Sequence, residues 1–186
     1  WLSQPLQTSL TQKYSASLEG GDKNLRYQLN LQYDTNNGVM KGSGRDKYSI
    51  GSVLDYNLGD NFRVRNELMV SELTERNSPY GSFSTYARQN PYERIYDENG
   101  DMVKTFTSTN EINPMINSTL PNRDRTKSTI WKDNFSLEWR FLNAFRLTSR
   151  ISYTTTLAED ETFLSPNSPT FPNETDVAQK GKATYF

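Results

Sequence analysis

The chain has 186 residues, 21 basic and 22 acidic, with neither histidine nor cysteine; that composition excludes thiolate and imidazole metal sites and Ser-His or Cys-His catalysis. A net charge of −1 lacks the electrostatic footprint of a nucleic-acid binder. At 33% hydrophobic residues and a mean hydropathy of −0.84, a soluble domain would have a thin core, whereas a membrane β-barrel wall needs apolar residues only at alternate strand positions.

Residues 1–9 read as the end of a loop, because Pro5 cannot sit in a central strand. From Leu10 to Glu19, Tyr14, Ala16 and Leu18 alternate with Ser15, Ser17 and Glu19, which predicts a first strand. Gly20 to Asn24 is a turn. The second strand, Leu25 to Asp34, sets Tyr27, Leu29, Leu31 and Tyr33 against Arg26, Gln28, Asn30 and Gln32. An Asn- and Gly-rich loop to Arg45 follows. The third strand, Asp46 to Leu58, carries Tyr48, Ile50, Leu54, Tyr56 and Leu58 on one parity. After Gly59-Asp60-Asn61 comes a fourth, with Phe62, Val64, Leu68 and Val70 opposite Arg63, Arg65, Glu67, Met69 and Ser71; Asn66 interrupts the apolar parity.

Glu75 to Lys127 is too long for a featureless loop in a compact domain. Within it, Ser82 to Asn90 predicts a short helix stopped by Pro91, and Asp97 to Asp101 a hairpin turn between residues 94–96 and 102–104. The next hairpin is the clearest of all. Phe135, Leu137, Trp139 and Phe141 face one way and Ser136, Glu138 and Arg140 the other. Beyond Leu142-Asn143-Ala144, Phe145, Leu147, Ile151, Tyr153 and Leu157 alternate with Arg146, Thr148, Arg150, Ser152 and Thr154. Ala158 to Lys180 reads as a second long loop, with a further strand starting at Ala183 to Phe186.

The connections run short, medium, short, very long, short, long. Antiparallel neighbours alternate ends, so the short turns gather at one rim and the longer loops at the other, as in transmembrane barrels. The expected fold is therefore all-β: antiparallel up-and-down strands forming part of a large transmembrane barrel, with one short helix near 82–90. Each Arg turned to lipid costs about 2–4 kcal/mol at the midplane, so Arg63, Arg65, Glu67, Glu138, Arg140, Arg146 and Arg150 are expected to face a wet lumen. Tyr27, Leu29, Leu31, Tyr33, Leu54, Tyr56, Leu137, Trp139, Ile151 and Tyr153 are expected to face lipid. Six full strands fall short of the eight in the smallest bacterial barrels. Residues 1–186 are thus expected to be one portion of a barrel, with no plug domain, and the chain a fragment.

Several stretches carry a family resemblance: Trp1 with Pro5-Leu6, Leu18-Glu19-Gly20-Gly21, Gly38-Val39-Met40-Lys41-Gly42, and above all the run Asn77-Ser78-Pro79-Tyr80-Gly81-Ser82-Phe83, Tyr86-Ala87, Asn90-Pro91-Tyr92, Tyr96-Asp97-Glu98-Asn99-Gly100. In order and spacing this resembles the SusC/RagA-type TonB-dependent outer-membrane transporters. The resemblance implies a barrel of about 22 strands around an N-terminal plug, and a SusD-like surface lipoprotein as lid. It also implies energy from the TonB complex through the plug and import of glycans, oligosaccharides or peptides across a Gram-negative outer membrane.

The loop aromatics Tyr80, Phe83, Tyr86, Tyr92 and Tyr96 are candidates to touch solute or lid protein, against the alternative that they pack the loop on itself. Asp97, Glu98, Asn99 and Asp101 offer oxygen ligands, but without the spacing of a calcium loop. Glu19, Asp55, Glu67 and Glu138 share the inward parity, and two carboxylates suitably spaced can cleave glycosides. Interleaved as they are with arginines, an ion-pair lattice is the expected arrangement, with no enzymatic activity, no metal and no cofactor. The sequons at Asn117, Asn134 and Asn173 carry no specific meaning in a bacterial setting. The rival to the transporter reading is a secreted or surface β-rich module that binds glycans without spanning lipid. It would have to cover the apolar parity with a second layer, and no spare apolar segment is present to do so.

Overall fold

The structure is a computed structural model. It describes residues 1–142, 144–169 and 171, together with the backbone of Lys182–Tyr185. Strands β1 (Thr11–Gly21), β2 (Leu25–Asn37), β3 (Gly44–Leu58), β4 (Phe62–Arg76), β5 (Arg123–Phe141), β6 (Phe145–Leu164) and β7 (Lys182–Tyr185) form one antiparallel sheet whose spatial order is the chain order. The all-β, up-and-down architecture is the one the alternation predicts. The sheet does not close on itself within these residues. Along β6, only Glu161–Leu164 have a partner in β7.

The turns are segregated as the sequence implies. The short connections β1–β2, β3–β4 and β5–β6 lie at one rim; residues 38–43 and 77–122 lie at the other. At the first short turn the Asp22 carboxylate accepts the backbone N–H groups of Asn24 and Leu25, each at 2.8 Å. Those two bonds hold its carboxyl below the usual carboxylate range. Gly21 sits at φ +132°, where a Cβ would lie 2.0 Å from the Leu25 carbonyl oxygen, so only glycine fits.

Two strands outrun their sequence expectations. β6 continues through Leu164, where the sequence reads as loop from Ala158, and β5 begins at Arg123 rather than beyond Lys127. Residues 158–164 offer no apolar alternation, yet they pair with Arg123–Ser128. Arg125 reaches Glu161 at 2.8 Å and Thr126 donates to Asp160 at 2.6 Å. Of the rest of the predicted second loop, Thr170 and residues 172–180, including Pro172 and the Asn173 sequon, lie outside the described residues, as do Asn143 and Phe186.

The predicted hairpin at 94–104 reduces to a single bridge, Tyr96 with Met102, supported by Val103 N–H to the Ile95 carbonyl at 3.0 Å. The helix α1 spans Phe83–Ala87, shorter than expected, with the Ser82 hydroxyl accepting the Ser84 N–H as its N-cap.

Among the described residues no second layer covers the sheet. The buried hydrophobic side chains are Tyr86, Phe106 and Met115, all within the 77–122 connection. The closed two-layer core that a soluble module requires is absent among the described residues. Leu54 stays 45% exposed and Ile151 64%, while Leu29 and Leu137 are half-buried, flanked within the sheet by neighbours on their own face.

Candidate functional site

Directly paired residues in an antiparallel sheet share a face, so the register decides which side chains meet. One row across the sheet reads Arg26, Asp55, Arg65, Ser136, Arg150; the next toward the short turns reads Asn57, Arg63, Glu138, Thr148. Asp55, only 9% exposed, accepts Arg63 Nε at 2.8 Å and a terminal Arg63 nitrogen at 2.5 Å, with Arg65 3.5 Å away. Glu67 accepts Arg65 Nε at 2.7 Å, and Glu138 accepts Arg140 Nε at 2.9 Å. The oxygens of these three carboxylates are thus engaged by guanidinium groups, the ion-pair arrangement expected from the sequence. This face bounds two open concavities near the short-turn rim. One of about 820 Å³ is lined by Arg26, Asp55, Arg63 and Arg65 among others; one of about 270 Å³ lies between Asp55, Asn61, Glu138 and Arg140.

The opposite face is apolar, with a belt of rings toward each end. Nearer the long loops Tyr14, Tyr33 and Tyr48 stack side by side, with centroids 6.2 and 4.6 Å apart. Near the short turns Phe62 stacks on Trp139 at 5.6 Å, Trp139 meets Phe141 at 4.7 Å, and Phe141 stacks on Phe145 at 5.5 Å. Between the belts lie Tyr27, Leu31, Leu54, Tyr56, Ile151 and Tyr153, all substantially exposed. A shallow hollow of about 390 Å³ beside Tyr14, Leu31 and Tyr48 also lies toward this side.

Two features of this face escaped the sequence reading. Asn66 is not a lone polar interruption: its Nδ2 donates to Asp133 Oδ1 at 2.6 Å, and Asp133 shares the apolar face because it pairs with Leu68 and Tyr153. The parity of β5 from Phe135 to Phe141, extended backwards, would have placed it there. Beyond the tyrosine belt the same face turns charged, with Lys127 to Glu72 at 3.1 Å and Arg76 to Asp46 at 2.7 Å.

The 77–122 connection is a small folded body. The buried Tyr86 hydroxyl is shared between the carbonyls of Tyr80 (3.0 Å) and Pro114 (3.2 Å), and burial pushes its phenol up to about 12. Asn113, 1% exposed, donates to the Val103 carbonyl at 2.8 Å and accepts the Met115 N–H at 3.0 Å, closing the backbone around it. Trp1 meets Phe106 edge-on at 5.6 Å, and Lys41 Nζ lies 5.8 Å from the Tyr80 ring. The N-terminal segment and the 38–43 loop are therefore tied to this body. Sequence reasoning did not single out Phe106, Asn113 or Met115, which sit in no periodic pattern.

Of the five candidate loop aromatics, Tyr86 is interior and Tyr80 half-buried, while Phe83, Tyr92 (91% exposed) and Tyr96 face solvent. The Asp97 carboxylate accepts the N–H groups of Asn99 and Asp101, both at 2.9 Å, so it closes its own turn. No group of three or more potential metal-ligating side chains gathers among the described residues.

No protein-family profile matches the chain. One stretch is 31% identical over 84 residues to the TonB-dependent receptor P26 of Formosa agariphila, a match spanning 45% of this chain and 8% of that relative. The chain is similar to a TonB-dependent receptor. That relative is by name a receptor.

Proposed function

We propose that residues 1–186 are part of the barrel wall of a TonB-dependent transporter in a Gram-negative outer membrane. The observation that carries this is the pair of aromatic belts bounding an exposed apolar face, back to back with a charged face that bounds the concavity of about 820 Å³. From Tyr48 to Leu58, the partner of Phe62, is ten residue steps. At about 3.4 Å per step and a tilt near 40°, that is roughly 26 Å of height, against an apolar band of about 25 Å. The wet side then lines the lumen and the folded 77–122 body stands over the outer mouth.

Within that class, the loop motifs favour the SusC/RagA type. A SusD-like lipoprotein would sit on the mouth, near Tyr92, Tyr96 and Phe83. Oligosaccharides or peptides would be the cargo, and the TonB complex would act through a plug carried elsewhere in the protein. The chain itself performs no reaction in this reading.

The test is fractionation of the full-length protein, followed by quenching from lipids bearing acyl-chain bromines against single tryptophans placed at Leu137, Tyr153, Arg146 and Arg150. Quenching at Leu137 and Tyr153 but not at the two arginine positions is expected. An aqueous, monodisperse full-length protein, or quenching at the arginine positions, would overturn the reading in favour of a surface glycan-binding module.

A further inference from the structure

The inward face carries more positive charge near the short-turn rim than its own carboxylates neutralise. Arg63, Arg65 and Arg140 are held by Asp55, Glu67 and Glu138. Among the described residues Arg26, Arg146 and Arg150 form no close ion pair and no side-chain hydrogen bond, Arg26 acting on the already paired Asp55 only at longer range. Arg146 also stands directly opposite Arg140, a like-charge cross-strand pair that is destabilising unless a counter-charge lies near. These groups do not converge on a point. The row from Arg26 to Arg150 crosses four strand spacings, about 19 Å, and Arg146 lies roughly 13 Å farther along β6.

A strip of that length suits an extended polyanion better than a single phosphate. What lies between the arginines decides the kind of chain. Along the strip the wall offers Gln28, Ser136, Asn134, Ser152 and Thr148 on the same face, hydrogen-bonding groups without an apolar pocket. A peptide draws specificity from pockets for its side chains; a polyhydroxylated chain with regularly spaced acids is matched by alternating hydroxyl, amide and guanidinium groups. Guanidinium forks pair bidentately with planar carboxylates and with sulfate oxygens, and rings of arginine are the usual device by which pores favour anions.

Resting on the transporter reading, we infer that the Arg26–Arg146–Arg150 strip binds a linear anionic oligosaccharide, carboxylated or sulfated, on its way through the lumen. The experiment uses the full-length protein in detergent and titrates it with tetragalacturonate, with a sulfated oligosaccharide of the same length, with maltotetraose and with a pentaglutamate peptide. The acidic saccharides are expected to bind at least about tenfold more tightly than maltotetraose, and their affinity to fall as salt screens the strip. The double variant Arg146→Gln/Arg150→Gln should lose roughly tenfold toward them and nothing toward maltotetraose.

Should the variant fail to fold, the salt dependence of the unmodified protein still decides. Salt-independent binding, equal affinity for maltotetraose, or preference for pentaglutamate would each overturn the inference. A protein that sits in the outer membrane and takes up neutral saccharides equally well would leave the transporter reading standing and remove this one. A protein absent from the membrane would remove both.

Discussion

The sharpest consequence of the two-faced sheet concerns neighbours on one strand. Ile151 lies midway along the apolar run from Phe145 to Leu157 of β6 and is 64% exposed. Ser152, the next residue, faces the wet side opposite Asn134. In the proposed barrel, arginine at 151 would stand near the bilayer midplane, which costs about 2–4 kcal/mol in transmembrane barrels. That lowers the folded-to-unfolded ratio by roughly 30- to 1,000-fold at 1.4 kcal/mol per decade. Ser152→Arg enters a hydrated wall among polar groups and is expected to shift stability by no more than about 0.5 kcal/mol. The assay is urea unfolding of the full-length protein in lipid vesicles, followed by the gel-mobility difference between folded and heat-denatured barrel. Equal effects, or a larger loss for Ser152→Arg, would refute the assignment of faces.

Four further outcomes follow from local geometry. Gly21→Ala forces a Cβ against the Leu25 carbonyl at a φ that L-residues avoid, and is expected to destabilise by about 1–3 kcal/mol, read as faster hydrogen exchange at Asp22 and Asn57. The Asp22 carboxyl, lowered by its two backbone bonds, stabilises the turn at pH values above its ordinary pKa. That stabilisation fades as pH falls through the depressed value, below about pH 4; Asp22→Asn should abolish this dependence in amide exchange. The Tyr86 phenol, raised to about 12, favours the folded loop up to its unfolded pKa near 10, an advantage lost between there and about 12. Ultraviolet titration should show one late-ionising tyrosine, absent in Tyr86→Phe, whose 77–122 segment should also be cut faster by protease. For the polar pair on the apolar face, Asn66→Leu or Asp133→Leu alone leaves one polar group there without its partner and is expected to cost about 1–3 kcal/mol. The double change should be neutral or stabilising, measured by the same vesicle unfolding.

How legible each part was depends on whether the two faces of its strands differ in polarity. Between the aromatic belts one face is apolar and the other polar, so Tyr27 to Tyr33 and Phe145 to Tyr153 show their parity plainly in sequence. Above the belts both faces of β6 carry polar side chains. Glu159, Asp160 and Glu161 then carry no alternation, and only cross-strand partners such as Arg125 reveal that the strand goes on. Asp133 was hidden for a different reason: its hydrogen bond to Asn66 lets a carboxylate occupy an apolar position that hydropathy alone would deny it. In the 77–122 body the interior is fixed by Asn113 and Tyr86 bonding to backbone carbonyls far along the chain. No short-range period encodes contacts of that kind, so the short helix after Ser82 was readable and the core around Phe106 was not.

Because each strand of the sheet lies beside the one that precedes it, nearly every pairing can form by zipping up a hairpin, with little loop entropy to overcome at each step. In the proposed barrel, this neighbour-by-neighbour order would leave one pairing to the end, the one that brings the first and last strands of the ring together, and ring closure would be the least local event in assembly.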